Sequence, residues 1–382
     1  MRILFVFMTL FAFFSSGVLL GQSETGSGSI VDRKGVGGYN ITAFDRIGHR
    51  SLGGYYDTEW ISDSSQNSFR QHRVILVTSA QLHERLLFNA EVEYEYGGLI
   101  NNGTNDGELK IEQAWLDYKI LPELTFRSGL VLVPFGLINI LHDSDIRETT
   151  NRPIYARNIV PTTWMDTGLG FHGVMDITDD AVLNYEAYII NGLSNSITET
   201  DGLRKSRPSF KKDNNRNKAF VGHVGFSPYL GLDVGTSYYT GKYDASDLNT
   251  LSMVGLDTLW KWNEFEVMAE FASASVEGAT GSIPSHMNGY YVEGRYRFFP
   301  DFLKKTFLAE GFRNPIFTLF SRYSVVDPNT AKKNVNDVTQ ITVGMNYRPT
   351  QTVVFKLEYE INREAENEID NNQIAASVAV GF

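Results

Sequence analysis

The chain repeats one pattern to its last residue: short segments of alternating apolar and polar residues, separated by clusters of Gly, Pro, Asn, Asp and Ser. Residues 372–382 form the final segment of this kind. Successive side chains of a β-strand point to opposite faces, so the alternation predicts strands with one apolar and one polar face. A bilayer offers exposed backbone groups no water, so a sheet inside a membrane must close on itself. The pattern therefore predicts an all-β, antiparallel, transmembrane up-and-down barrel.

Sixteen segments fit this pattern, and an even number is typical of such barrels. Their approximate ranges are 36–47, 70–80, 86–97, 107–119, 122–133, 167–178, 181–191, 217–227, 229–241, 249–260, 264–275, 287–299, 316–326, 338–348, 350–362 and 372–382. Connections after even-numbered segments are short, except 300–315, whereas those after odd-numbered segments are longer, including 48–69 and 134–166. Short turns are typical of the periplasmic rim and long loops of the outside, which predicts periplasmic termini.

The beginning of the chain predicts export. Met1 and Arg2 precede an apolar run at residues 3–14, and small residues follow up to Gly21, so residues 1–21 are a predicted signal peptide. The run is too short to span a bilayer. Residues 22–382 are expected to form a single barrel domain in contact with the lipid of the outer membrane of a Gram-negative-type cell. The chain has no cysteine, which excludes disulfides and thiolate-bound metals.

Because side chains alternate between the two faces of a strand, the parity of a residue number predicts its face. Many charged side chains are assigned in this way to the inner face, because they must face water and not lipid. In residues 88–96, Glu91, Glu93 and Glu95 alternate with Val92 and Tyr94. The same reasoning places a further set inside: Arg127, Glu266, Glu270, Glu293, Arg295, Arg297, Arg348, Lys356, Glu358 and Glu360. The predicted lumen carries both signs of charge with an acidic excess, which suits polar solutes and ions. The alternative is that these charges only solvate the wall and pair with one another.

The long connection 134–166 follows the fifth predicted strand and is the third long loop. Its prolines and large apolar residues, such as Phe135 and Trp164, indicate an ordered segment. Its charged residues suit a constriction: Asp143, Asp145, Arg147, Glu148, Arg152 and Arg157. We expect the loop to fold into the lumen and to face these wall residues: Glu91, Glu93, Glu95, Arg127, Arg295, Arg297, Lys356 and Glu358. The alternative is an external cap.

Several motifs carry a family resemblance. These are Arg-Ser-Gly-Leu-Val-Leu-Val-Pro-Phe-Gly at 127–136, Glu-Gln-Ala-Trp-Leu-Asp-Tyr at 112–118 and Val-Pro-Thr-Thr-Trp at 160–164. Between about residues 70 and 195 the chain resembles the outer-membrane porin family named for phosphate-selective porins O and P. The resemblance implies a sixteen-stranded barrel, a homotrimer, an infolded third loop, and a terminal Phe382 that the barrel-assembly machinery reads.

One departure limits what the resemblance implies. Phosphate selectivity in that family goes with ladders of arginine and a lysine cluster in the pore, whereas Glu91, Glu93 and Glu95 form an acidic ladder here. The resemblance therefore implies a channel, and it does not imply selectivity for phosphate.

Other chemistries find little support in the sequence. Residues 168–173 match Gly-x-Gly-x-x-Gly, but they lie within a predicted strand and not between a strand and a helix. The seven histidines include no His-x-x-x-His pair, so no zinc site is predicted, and no cofactor is expected. A net charge of −11 argues against nucleic-acid binding. An outer-membrane lipase or protease stays open as an alternative, because Ser and His can converge across strands.

The sequence thus predicts a non-enzymatic, water-filled channel for passive diffusion of small hydrophilic solutes and ions. Two alternatives are an anion- or phosphate-selective channel and a non-conducting structural or adhesive barrel.

Overall fold

The barrel is closed. The computed structural model describes residues 50–97, 107–366 and 368–382. Within these ranges lie sixteen strands: β1 (Arg50–Ser62), β2 (Asn67–His83), β3 (Leu86–Glu95), β4 (Glu108–Leu121), β5 (Leu124–Leu132), β6 (Met165–Asp176), β7 (Val182–Ile190), β8 (Ala219–Tyr229), β9 (Leu232–Lys242), β10 (Thr250–Trp262), β11 (Phe265–Val276), β12 (His286–Phe298), β13 (Ile316–Asp327), β14 (Val338–Thr350), β15 (Val353–Glu364) and β16 (Gln373–Gly381). Each strand pairs with its chain neighbours, and β1 pairs antiparallel with β16. The predicted sixteen-stranded antiparallel barrel is confirmed.

Two short helical elements accompany the strands. The helix α1 (Ile154–Asn158) follows Pro153, and a 3-10 turn spans Asp301–Leu303. Proline is favoured at a helix start because it fixes φ and lacks an N–H that would stay unpaired there. Among the described residues, no helix is long and apolar enough to cross a membrane.

The prediction of a loop at residues 48–69 was wrong. The range 36–47 lies outside the described residues, as does the predicted signal peptide, and β1 occupies most of the stretch 48–69 that was predicted as a loop. The outward face of β1 alternates Leu52, Tyr56 and Trp60 with Gly54 and Thr58, so its apolar stripe is interrupted. Pairing with β16 compensates, since Gly54 and Phe382 exchange backbone hydrogen bonds of 3.0 and 2.9 Å.

The two faces of the sheet differ as parity predicts. On β10, Val254, Leu256 and Trp260 are exposed, whereas the intervening Asp257 and Leu259 are buried. An apolar outer face suits lipid, and the buried face lines the inside of the closed sheet. The alternation therefore fixes which side chains can meet in the lumen.

A packed apolar core lies on the buried face of the sheet. It joins the connection between β5 and β6, residues 133–164, to inward residues of β7 through β13. We call this connection the insert. Phe135, Tyr155 and Trp164 of the insert are fully buried against Tyr239 and Tyr291 of the wall.

Candidate functional site

The two ends of the insert are fastened together. The Val133 N–H donates to the Trp164 carbonyl at 3.0 Å, which continues the β5–β6 ladder. The Asn139 amide donates to the Val133 and Trp164 carbonyls at 2.8 and 2.9 Å and accepts from the Trp164 N–H at 2.8 Å. A buried asparagine can use both donors and its acceptor in this way. The insert thus leaves the wall and returns to it at one point.

Aromatic contacts hold the first and last parts of the insert against the wall. The Trp164 ring packs edge-on against Tyr239, with centroids 5.1 Å apart, and Phe135 lies 6.1 Å from Trp164. Gly255 on β10 makes room for Phe135, because a Cβ there would lie 2.9 Å from the ring. Buried aromatic pairs of this geometry add to the energy of area burial.

The middle of the insert docks on the opposite part of the wall. The Glu358 carboxylate on β15 accepts hydrogen bonds from the backbone N–H groups of Thr150 and Asn151 at 2.7 and 3.1 Å. The Lys356 ammonium donates to the Ser144 and Thr149 carbonyls at 2.6 and 3.1 Å. We call residues 144–151 the docking turn. Charged side chains of the wall satisfy its backbone, which would otherwise carry unpaired polar groups.

Arg322 on β13 is a further anchor of the docking turn. Its guanidinium donates to the Thr149 hydroxyl at 2.7 Å and to the Asn151 carbonyl at 3.0 Å, and its side chain is fully buried. Sequence reasoning missed Arg322, although its position between outward Ser321 and Tyr323 would have assigned it to the lumen by parity.

Glu148 of the docking turn lies among wall cations. Its carboxylate is 3.2 Å from Arg297 and 3.5 Å from Arg348, and the Asn346 amide donates to it at 2.7 Å. Burial would raise the pKa of Glu148, but Arg348, Arg297 and Arg295 more than offset it, and the pKa lies well below its usual range. Glu148 is therefore ionised and electrostatically fixed to β12 and β14.

The acidic ladder lies on the wall formed by β2, β3 and β4. The Glu93 carboxylate is 3.0 Å from the Lys110 ammonium, and Glu95 is 3.0 Å from Arg73. Glu91 accepts a hydrogen bond of 2.8 Å from the Gln113 amide. Burial places Glu91 and Glu93 on the inner face, as parity predicts, with Glu95 half-buried beside them. Two of the three carboxylates are thus paired with cations.

Two arginines of the insert keep unpaired donors. Arg147 donates to the Ser144 hydroxyl at 3.2 Å and Arg152 to the Thr163 hydroxyl at 2.9 Å. Within the described part of the chain, the remaining Nε and Nη1 groups of Arg147 and the Nη2 group of Arg152 have no hydrogen-bond partner. Burial, together with Arg73 and Arg147, lowers the pKa of Arg152 to about 9. Because these guanidinium donors are buried, ordered water is the partner that could satisfy them.

A cavity of about 1000 Å³ lies between the docking turn and the connection 299–315. Its charged lining includes Glu148, Glu266, Arg295, Arg297 and Arg348. Arg295 and Arg297 bind the Glu266 carboxylate at 2.5 and 2.7 Å, so part of this charge is paired. The connection 299–315 is the long exception among the predicted periplasmic turns, and it forms one wall of the cavity.

The fold and these contacts agree with a sequence comparison. The family described as phosphate-selective porin O and P matches residues 52–257. The chain belongs to this porin family. The predicted membership is confirmed, and the protein is an outer-membrane channel for passive diffusion.

Relatives and solved structures extend the comparison. An uncharacterized protein of Aquifex aeolicus (strain VF5) is 27% identical over 357 residues, which cover 87% of this chain and 80% of that protein. OmpF of Salmonella typhi, solved with daunomycin, gives a TM-score of 0.58 at 13% identity over 87% of this chain and 97% of that one. The trimer form of Vibrio cholerae OmpT gives 0.57 at 12% identity over 88% and 100%. An anion-selective porin from Comamonas acidovorans gives 0.54 at 12% identity over 87% and 99%.

The remaining predicted residues of this porin are spread over the site. Asp143 lies 3.5 Å from the His142 ring, which also contacts Glu112 at 3.2 Å. Burial and the neighbouring Asp143 raise the pKa of Asp145 to about 7. Arg127 lies apart from the docking turn, because it forms a bidentate pair with Asp117 at 2.7 and 2.8 Å.

Arg157 does not join the others. It is exposed at the end of α1, whereas the docking turn, the acidic ladder and Arg152 are all at least half-buried. Lys110 and Glu112 on β4 belong to the site and were missed, because the sequence reasoning read β4 only for its family motif. Parity would have assigned Lys110 to the inner face.

Proposed function

We propose that this porin conducts small hydrophilic solutes and ions along a polar path that the insert confines to part of the lumen. The supporting observation is the docking turn, whose backbone is bonded by Glu358, Lys356 and Arg322 of the far wall. The apolar core occupies the side of β7 through β13, whereas paired and unpaired charges line β2 to β4 and β12 to β15. The path acts by fixed charges and hydrogen bonds, and no covalent step is involved.

The proposed constriction lies between the insert and the acidic ladder. Arg147 and Arg152, whose partnerless donors are buried, supply positive charge on one side, and Glu91, Glu93 and Glu95 supply carboxylates on the other. Opposed rows of opposite charge create a transverse field that orients dipolar solutes. Because most wall carboxylates are paired, we expect only a weak preference for cations.

An anion-selective channel is the second candidate, and the cavity favours it. Arg295, Arg297 and Arg348 share the cavity lining with Lys304 and Arg313 from the connection 299–315. These cations outnumber the acidic lining residues Asp145, Glu148, Glu266 and Glu293. Such an excess would concentrate anions at that end of the path.

Several further features of the chain belong to the proposal. Residues 1–21 act as the signal peptide, and residues 22–382 form one barrel domain. The trimer form of OmpT supports a homotrimer. Phe382, which is 61% exposed, is the residue that the barrel-assembly machinery would read.

The placement of the insert can be tested by an engineered disulfide. The hydroxyl oxygens of Thr150 and Ser377 are 3.1 Å apart, and the chain has no cysteine that could compete. The double variant T150C/S377C should form an intramolecular disulfide in the folded barrel, whereas T178C/S377C, with one cysteine in the β6–β7 turn, should not. Equal yields in both variants, or none in the first, would contradict the infolded insert.

The function itself is tested by single-channel recording in planar bilayers, with the reversal potential measured under a salt gradient and phosphate then titrated in. Ohmic steps with a weak cation preference support the general channel. Anion preference, or block by low phosphate, supports the second candidate. Absence of conductance from a folded barrel would refute both and favour a structural barrel.

A further inference from the structure

Three potential metal ligands converge on the hairpin of β1 and β2. The His72 Nδ1 atom is 2.9 Å from the Asp57 Oδ2 atom and 2.9 Å from the Glu59 Oε1 atom. Their ligand atoms all lie within 4.8 Å of one another. Donor atoms that share a tetrahedral Zn²⁺ ion at about 2.0–2.1 Å are about 3.4 Å apart. The three donors converge on one point, and the two contacts to His72 would have to lengthen by about 0.5 Å to admit the ion.

A β-bulge produces this convergence. The register between β1 and β2 shifts between Asp57 and Thr58, which pair with Arg73 and Gln71, so His72 is the extra residue. Bulges re-aim side chains and are frequent beside functional sites. Here the bulge turns His72 towards the face that carries Asp57 and Glu59, both of which are buried.

Two carboxylate oxygens of the site compete for one hydrogen-bond donor. The Nδ1 atom of His72 can carry a single proton, yet two carboxylate oxygens face it at the same distance. A divalent ion at this point would bind all three atoms at once. The other oxygen of each carboxylate is already held, Glu59 Oε2 by Arg70 at 2.9 Å and Asp57 Oδ1 by the Arg73 N–H at 3.0 Å. Such outer contacts orient metal ligands.

The positive charge and position of Arg73 disfavour metal binding at His72. Its Nη2 atom lies 3.1 Å from His72 Nε2, the nitrogen that must carry the proton when a metal occupies Nδ1. Arg73 has other partners to move to, because Glu95 lies 3.0 Å and Glu93 3.7 Å away. Asp57, Glu59, Glu93 and Glu95 also outnumber the cations among them, which are Arg70, Arg73 and Lys110.

We propose that Asp57, Glu59 and His72 form a site for a divalent transition-metal ion, with Zn²⁺ as the representative, in the channel wall. Imidazole nitrogen with carboxylate oxygen is a donor set that zinc accepts. Sequence reasoning predicted no zinc site because the ligands come from two strands, one of which it had placed in a loop. This effect rests on the proposed function: the bound ion would reverse the local excess of negative charge, and the channel would then favour anions.

Binding is measured first and without reference to conduction. Refolded protein without a histidine tag is stripped with EDTA and titrated with Zn²⁺ by calorimetry. One ion should bind per chain, and H72Q should weaken binding roughly tenfold or more. The matched control is H223Q, because His223 contacts one carboxylate, Asp257, at 3.0 Å, and no second carboxylate of the described residues forms an ion pair with it. R73Q should bind Zn²⁺ more tightly, since Gln can accept the Nε2 proton.

The outcomes separate the site from the channel. No binding by the folded wild-type chain, an equal loss in H72Q and H223Q, or weaker binding by R73Q would overturn the metal site. Zn²⁺ should shift the reversal potential of the wild-type channel towards anions, relative to equal Mg²⁺, and leave H72Q unchanged. An unchanged wild-type potential with bound Zn²⁺ would overturn the link to permeation, whereas a chain that binds Zn²⁺ but never conducts would refute the proposed function alone.

Discussion

Replacing Glu358 by Ala should release the docking turn and make the channel fluctuate. The carboxylate accepts from two backbone N–H groups, at Thr150 and Asn151, and neither has a second acceptor among the residues that the structure describes. Leaving a buried donor unpaired costs about 1–3 kcal/mol, so the variant should lose about 2–6 kcal/mol of docking free energy. That loss raises the population of the released turn by a factor of about 30 to 20,000.

The assay is single-channel recording of the refolded variant. Wild-type protein should show one steady level, whereas E358A should switch between this level and a larger one, because the released turn no longer narrows the path. Lys356 and Arg322 still contact the turn, so the switching should be reversible.

Two controls separate docking from a general loss of stability. E364A removes a carboxylate at the end of the same strand whose recorded bonds go to Ile369 and Asn371 in an outer loop, and it should conduct like the wild type. In E358A/T150C/S377C the disulfide should restore a steady level under oxidising conditions, and dithiothreitol should bring the switching back. A folded E358A barrel with a wild-type trace would refute the reasoning.

Three further predictions follow from other parts of the site. The triple variant E91Q/E93Q/E95Q should shift the reversal potential towards anions, because Lys110 and Arg73 lose their partners; an unchanged potential would argue against a constriction at this wall. The pKa of Asp145 is raised from 3.8 to about 7, so this group makes stability fall as the pH rises from about 4 to 7, where the folded chain holds a proton that the unfolded chain has lost. Ionisation of the folded chain around pH 7, from about pH 6 to 8, adds negative charge to the path. Cation preference should therefore rise over this range in the wild type and stay level in D145N, as measured by reversal potential. F382A keeps the backbone bonds to Gly54 and should refold in detergent like the wild type, but it should yield less assembled barrel in cells, as counted by heat-modifiable band intensity.

The sequence was sufficient for the barrel and for most of its inner face. Alternation located fifteen of the strands, because lipid on one side and water on the other impose a strict period of two. It failed at β1, whose outer face includes Gly54 and Thr58 and whose strand depends on pairing with β16. Because β16 lies at the other end of the sequence, its pairing with β1 produces no pattern in the residues near β1.

Parity says which face a side chain occupies, and it does not say what the side chain contacts. Glu91 and Glu358 are both inward glutamates, yet one lies on the wall beside Gln113 and the other binds the insert backbone. The path of an irregular connection decides that difference, and its hydrogen bonds join residues more than two hundred positions apart. Arg157 illustrates the same limit, since its place in the insert did not bring it to the docking turn.

The contacts among Val133, Asn139 and Trp164 close the base of the insert. The insert can therefore change in length or sequence without a change in the strands of the wall. Because β5 and β6 already meet there as an ordinary hairpin, the wall needs no stretch of the insert to span a gap. Insertions, deletions or exchanges between these two points would alter the bore and leave the lipid-facing sheet intact. Selectivity can thus diverge among related porins in a single contiguous stretch of gene, at little risk to assembly in the membrane.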